Sequence, residues 1–518
     1  MHKLFQTIHE EYKTPVDGTV IGDIPGWLCG SLYRNGPGMY EVGEDKYKHW
    51  LDPLAMLQCF RIRDKKASYQ CRYLHSDAYT KAMEAKRIVV HEFGTVGTPD
   101  PCINSFKRQL SHFEMDDSTD NTNVSFFPFK DELYAATERN FINRIDPDTL
   151  DRLEKVKLED YVAVNSGTAH PHWDPDGTIH NLGNTYQGWP KTCLVRIPPK
   201  KDKNDDFPQG QVVASLASQS KMHINYLHSF GMSENYYVFI EQPLHMSMKK
   251  IASTKIQEAS LEWKPQSKPR FRIVDKKTGA EVNANIRFET GLFMFMHHIN
   301  TFEDNGHLVV DIIAYRKDSV LQYLYLKNLT IEQCEKEHRK IEDPLIRRYV
   351  IPLKIKPNAT PATNLVTLSY TKATAKRRDA KTVFLTHEIL CDIGIEFPQI
   401  NYRNYNTKKY RYVYGVGWHS KADIIHTLVK IDTETNSYKQ WKCENCFPTE
   451  PVFVPRPEST TEDDGVLLSA VSRTDFDEKG GANAFLLILD ARSMQEIARA
   501  DFGVPRFPKD LHGIFRPT

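Results

Sequence analysis

Short apolar runs separated by turn chemistry recur along the whole chain, and that pattern restricts the fold more than any other feature. Residues Glu132 to Thr137, Tyr236 to Glu241, His307 to Tyr315, Lys409 to Gly415, Gly465 to Ser472 and Ala484 to Leu489 have the length and side-chain content of strands. Clusters such as Asp174-Pro175-Asp176-Gly177, Asp304-Asn305-Gly306 and Asp463-Asp464-Gly465 punctuate them as turns. Helical patterning is confined to Met246 to Glu258 and Thr330 to Lys340, and strands do not alternate with helices as a parallel α/β sheet requires. The class is therefore all-β. So many short strands in one chain must dispose of their sheet edges, and a β-propeller, closed on itself, does this better than a single sandwich. No repeat of the WD type fixes the blade count. Large all-β folds commonly run long as one unit, so residues 1–518 are read as a single domain.

Charge narrows the partners. Lys+Arg total 68 and Asp+Glu 67, a net +1 that argues against a nucleic-acid partner held by phosphate neutralisation. Tyr33-Arg34-Asn35-Gly36-Pro37-Gly38 is read as a tight turn: it lacks the helix and the Lys-Ser/Thr pair of a phosphate loop, so no nucleotide cofactor is expected. His49-Trp50-Leu51-Asp52-Pro53 is read as a satisfied core corner, and Pro99-Asp100-Pro101-Cys102 as a rigid loop. Nine cysteines scattered through the sequence, and an N-terminus with no apolar secretory core, point to reduced thiols in an intracellular protein. Cytoplasmic or peripheral-membrane residence is expected, with a mitochondrial address left open although Glu10 and Glu11 count against a presequence. No apolar run reaches the roughly 18 residues a membrane span needs. Cys443-Glu444-Asn445-Cys446 lacks a second ligand pair and is read as coincidence.

Four histidine-bearing stretches share one logic. Phe293-Met294-Phe295-Met296-His297-His298-Ile299-Asn300 reads as a buried strand, on which His297 and His298 face opposite ways and only one easily serves an inward site. Thr168-Ala169-His170-Pro171-His172, Leu227-His228-Ser229-Phe230 and Leu511-His512-Gly513 each place an imidazole beside small residues at the edge of an apolar segment. Separate blades would present ligands to a propeller axis in this way. An apolar terminal stretch also implies that His512 is buried and tied down.

Taken with Arg34-Asn35-Gly36-Pro37-Gly38, Pro99-Asp100-Pro101-Cys102, Glu396-Phe397-Pro398-Gln399-Ile400 and Glu450-Pro451-Val452-Phe453-Val454, these motifs resemble the carotenoid cleavage oxygenase family, in its animal branch, from Arg34 to Gly513. The resemblance implies a seven-bladed β-propeller capped on one face by loops and short helices. It also implies a non-haem Fe(2+) held by His170, His228, His297 and His512, with O2 as co-substrate. The family pattern selects His297 over His298 and leaves His172 as a neighbour. Glu138, Glu396 and Glu450 are implied as carboxylate partners of the ligating imidazoles. Phe93 and Thr137 are implied to approach the metal or the substrate.

The implied reaction is oxidative cleavage of a carotenoid double bond to carbonyl products. Similarity through Ile240-Glu241-Gln242-Pro243-Leu244, Ile251 to Ile256 and Gly394 to Ile400 favours eccentric 9′,10′ cleavage. Central 15,15′ cleavage and retinyl ester isomerohydrolysis are alternatives on the same fold, and a noncatalytic carotenoid-binding propeller is the alternative of another class. A polyene substrate needs an apolar tunnel. It resides in membranes, so the Pro99 to Phe113 and Met246 to Ile256 segments are candidates for shallow docking. Leu51, Pro53 and Ile103 stand where the family commonly has Phe, Gly and Lys, which affects substrate fit and docking and leaves the metal site untouched.

Overall fold

The computed structural model describes residues 2–98, 119–186, 188–202, 205–254, 257–329, 341–355, 360, 363–418, 427–475 and 483–518. The Pro99 to Phe113 segment with Ile103, the Thr330 to Lys340 helix and the end of the Met246 to Ile256 segment therefore lie outside the described residues, wholly or in part.

The architecture is mostly β. Among the described residues there are nine sheets, seven of them with four or more strands, and none closes on itself. Almost every pairing is antiparallel, through hairpins such as Met294–Asp304 with His307–Tyr315 and Gly465–Arg473 with Phe485–Asp490. The turn that joins the first pair has Asn305 and Gly306 both at positive φ, which is why Asn-Gly sits there. His307–Tyr315 is buried on both faces and reads in sequence as a continuous apolar run, as expected for a strand covered on each side.

The two ends of the chain are paired together. Thr19–Gly22 lies antiparallel to Glu496–Asp501, and Gly30–Met39 sits between Leu54–Arg63 and His512–Pro517, with Asn35 opposite His512. His512 is thus anchored as expected. Arg34 to Gly38 forms no tight turn; it lies inside the Gly30–Met39 strand. Its glycines serve close approach instead. A Cβ on Gly36 would sit 2.4 Å from Asp510 Cα, and one on Gly38 would sit 2.5 Å from Met56 Cβ. Pro37 falls at a bulge in the same strand, where the missing N–H costs no ladder bond.

Helices are short. Met248–Thr254 and Gln257–Ser260 fall where helical patterning was expected, and Met248 and Ile251, both partly buried, pack against a large core cluster. Among the described residues no helix is long and apolar enough to cross a membrane. Seven described cysteines, including Cys443 and Cys446, form no disulfide among the described residues.

Candidate metal centre

Each of the seven larger sheets delivers one residue to a single point. His512 opens the strand His512–Pro517, His297 lies on Met294–Asp304 and Glu396 on Gly394–Gln399. His170 lies between Ser166–Gly167 and His172–Trp173; His228 lies just before Gly231–Met232. Glu138 lies just after Glu132–Ala136, and Glu450 between Cys446–Pro448 and Val452–Pro455. Two of the seven sit at irregular points of the ladder. Around His298 the pairing jumps from Phe295–Ala314 to His298–Ile312 and then to Asn300–Asp311, so bulges flank the His pair. A third bulge falls between Glu396 and Gln399, where Phe397 has φ +54. Bulges re-aim side chains at such places, and a bulky residue in the left-handed region costs of order 1–3 kcal/mol that its surroundings must offset.

The structure brings His170, His228, His297 and His512 together, with one nitrogen of each within 4.8 Å of all the others. Three of them have a carboxylate on the opposite nitrogen. Nδ1 of His297 lies 2.7 Å from Glu396 Oε2, Nδ1 of His512 lies 2.8 Å from Glu450 Oε1, and Nδ1 of His228 meets Glu138 Oε1. In each pair the carboxylate comes from a different sheet than the histidine. The carboxylates are themselves held. Tyr226 donates to Glu138 at 2.8 Å, and the Tyr315 hydroxyl and the Phe397 amide donate to Glu396. Glu450 accepts from Gln399, Arg34 and the Gly513 amide at 2.9, 3.0 and 2.9 Å.

This arrangement fits a metal ion on chemical grounds. With Nδ1 donating to a carboxylate, each Nε2 carries a lone pair, yet Nε2 of His228 and Nε2 of His297 stand 3.2 Å apart. Two facing lone pairs repel unless a cation lies between them. The Nε2 of His170 is buried with no hydrogen-bond partner among the described residues, which is costly unless something coordinates it. Burial, followed by the fields of the other imidazoles, pushes His170 well below the usual histidine range; burial also lowers His512 despite Glu450 beside it. Neutral imidazoles are the ligating form. Burial by itself would raise Glu396 and Glu450, but the neighbouring imidazoles and hydrogen bonds hold both below the usual carboxylate range. Both therefore stay ionised and offset the charge of a bound cation.

His298 and His172 stand apart from this set. His298 packs edge-on against Phe295, its ring nitrogens have no hydrogen-bond partner among the described residues, and burial pushes its pKa down to about 3. His172 places Nδ1 at 2.8 Å from the Tyr402 hydroxyl and Nε2 at 3.0 Å from the Phe230 carbonyl, the pattern of a satisfied core histidine.

A cavity of about 840 Å³, counting the space at its mouth, opens onto His228, His297 and His512, and Phe93 and Thr137 both line it. Its volume suits a small-molecule ligand. Trp50, Val124, Met296, Phe397 and Trp418 give it predominantly apolar walls. Sequence reasoning did not find Tyr226, Tyr315, Gln399 and Arg34 as the residues that hold the three carboxylates; a Tyr two residues before a candidate ligand, and an Arg and a Gln inside resembling motifs, are the hints available.

A family model described as retinal pigment epithelial membrane protein matches residues 5–517. The chain belongs to the carotenoid oxygenase family. It is 40% identical over 530 residues to the mitochondrial carotenoid-cleaving dioxygenase of Macaca fascicularis, covering 99% of this chain and 94% of that one. It is equally similar, 40% over 530 residues with the same coverage, to the human beta,beta-carotene 15,15′-dioxygenase. Its fold matches that of a cobalt-substituted Synechocystis apocarotenoid oxygenase with a TM-score of 0.78 at 21% identity, over 99% of this chain and 98% of the other.

Proposed function

We propose that the protein is a non-haem Fe(2+) dioxygenase that cleaves a carotenoid double bond to two carbonyl products, at the 9′,10′ position. One observation carries the reading: four imidazole nitrogens converge beside a largely apolar cavity that three of the histidines line, and three of the four are backed by carboxylates. His170, His228, His297 and His512 would hold the metal, and Glu138, Glu396 and Glu450 would orient their rings and keep Nδ1 protonated. When bound, iron supplies the redox chemistry that activation of O2 requires, which zinc in the same ligand set would not. The cavity walls exclude water and grip the polyene by apolar contact, so the depth of the cavity selects the bond presented to the centre. Phe93 and Thr137, on the wall, would bear on the part of the substrate nearest the reacting bond. In the same reading the seven larger sheets are the blades of a propeller whose axis passes through the histidines. The seven residues they contribute, one each, support that arrangement.

Central 15,15′ cleavage is the second reading, favoured by the equal identity to relatives named for it. Incubating the iron-loaded protein with β-carotene, lutein and a retinyl ester, and weighing the products by mass spectrometry, separates the two positions. Absence of carbon–carbon cleavage on every carotenoid would sink both. We propose mitochondrial residence, supported by the relatives that carry that word in their names, with the cytoplasm as the alternative; fractionation of a tagged chain decides.

A further inference from the structure

The cavity lining is not wholly apolar. Trp50, Val124, Met296, Val320, Phe397 and Trp418 make most of its surface apolar, yet Arg139 and Glu92 also line it, beside Thr137. A hydrocarbon polyene has no use for them. Arg139 makes no side-chain hydrogen bond or ion pair among the described residues, although its guanidinium lies near enough to lower the pKa of both Glu92 and Asp52. Glu92 is 3% exposed; one carboxyl oxygen accepts the Thr119 hydroxyl at 2.8 Å, and no partner falls on the other among the described residues. The remaining polar groups nearby are engaged: Asn123 Nδ2 donates to the Leu51 and Pro53 carbonyls, and Asp52 accepts from the Gly94 amide and the Thr95 hydroxyl. Burial pushes the Glu92 carboxyl well above the usual range, which favours the protonated, hydrogen-bond-donating form.

We propose that Arg139 and Glu92 form an oxygen-binding subsite, so that the preferred substrate is a polyene bearing an oxygen acceptor close to the cleaved bond. The guanidinium is a donor only and needs an acceptor oxygen; the Glu92 carboxyl on the same cavity offers a second donor when protonated. Closeness to the reacting centre follows from the shared cavity, which Arg139 and Glu92 line together with His228, His297 and His512. The hydroxyl of a xanthophyll ring and the carbonyl of an apocarotenal present the same acceptor chemistry. The inference rests on the dioxygenase reading above and adds the substrate class.

The test compares kcat/KM of the iron-loaded wild type, Arg139→Met, Arg139→Lys and Glu92→Gln on β-carotene, zeaxanthin and a β-apocarotenal. The wild type is expected to prefer at least one oxygenated substrate, and the one preferred identifies the oxygen source. Arg139→Met should cut that preference roughly 10- to 100-fold, the worth of a charge-assisted hydrogen bond, with partial recovery in Arg139→Lys and a smaller loss in Glu92→Gln. Metal content equal to wild type certifies each fold. No preference in the wild type, or the same preference in Arg139→Met, overturns the subsite. Trp50 and Trp418 line the cavity, so quenching of tryptophan fluorescence reads binding without turnover. If the wild type cleaves no carotenoid, the dioxygenase reading fails and the quenching titration judges the subsite. Loss of the oxygenated ligand's affinity advantage in Arg139→Met supports it, and equal affinities overturn it.

Discussion

Nη1 of Arg34 lies 3.0 Å from Oε2 of Glu450, and both side chains are buried to within 1% of complete exclusion from solvent. The other arm of the same guanidinium meets Asp510 at 2.5 Å, and Asp510 also accepts from Gln58 at 3.2 Å. One fixed cation thus serves two buried carboxylates, one of which orients His512. Removing a partner from such a pair strands the remaining charges. Arg34→Met should lower stability by about 3–5 kcal/mol in urea unfolding, and Arg34→Lys by less. A loss below ~1 kcal/mol in Arg34→Met would show that the network is not holding its charges together.

The three carboxylates should act on metal affinity with different strengths from the groups behind them. Glu396→Gln removes the anionic acceptor from His297 and is expected to weaken the metal about 10- to 100-fold. Tyr315→Phe removes one donor from Glu396 and should cost a smaller factor. Competition with a chelator, followed by absorption of cobalt-loaded protein, measures both. Equal affinity in wild type and Glu396→Gln would refute the assignment of that carboxylate.

The adjacent histidines provide an internal control. His297→Ala should lose bound metal and turnover together, whereas His298→Gln should retain metal, because the His298 ring faces Phe295 and not the cluster. Metal analysis of the two purified variants settles the matter, and the reverse result would move the fourth ligand by one residue.

A pH dependence of stability follows from His49. Its Nε2 lies 3.0 Å from the Leu321 carbonyl and its Nδ1 accepts from the Leu51 amide at 3.2 Å, so the neutral ring satisfies both contacts. Burial pushes its pKa down to about 4. The unfolded chain, with an ordinary value near 6.5, takes up that proton first. The stability His49 supplies is therefore complete above about pH 6.5 and is lost as pH falls toward 4, by up to ~1.4 kcal/mol per pH unit. Asp52, pushed up to about 6, acts in the opposite sense, so the informative quantity is the difference from His49→Gln. Between pH 6.5 and 5 the wild type should lose more stability than that variant in parallel urea titrations. Parallel curves would show that His49 carries no such proton linkage.

Much of this site could be read before any coordinates, and what escaped has a physical reason. Strand existence followed from short apolar runs and from Asn-Gly and Asp-Gly turns, because those signals are local. The ligands could be proposed because each imidazole stands in a resembling motif. What held them could not be read in this way: Tyr315 and Glu396 are separated by 81 residues, Tyr226 and Glu138 by 88, and Arg34 and Glu450 by 416. Such pairs are made only by sheet-to-sheet packing. The Gly36-Pro37-Gly38 reading failed for a related reason. Glycine is permissive in a turn and also where two backbones nearly touch, and the sequence does not show that Asp510 approaches Gly36. Bulges at His298 and Glu396 were equally invisible, since pattern alone assumes an unbroken alternation.

The pairing of Gly30–Met39 with His512–Pro517 sets an order of events during synthesis. Of the four histidines His512 is the last to leave the ribosome, and its Glu450 partner emerges only 62 residues earlier. Until then the N-terminal strand waits with one edge open and the ligand set one imidazole short. The four-histidine cluster is therefore completed only when the last strand pairs with the first, so the cluster exists only in a chain whose two ends have met.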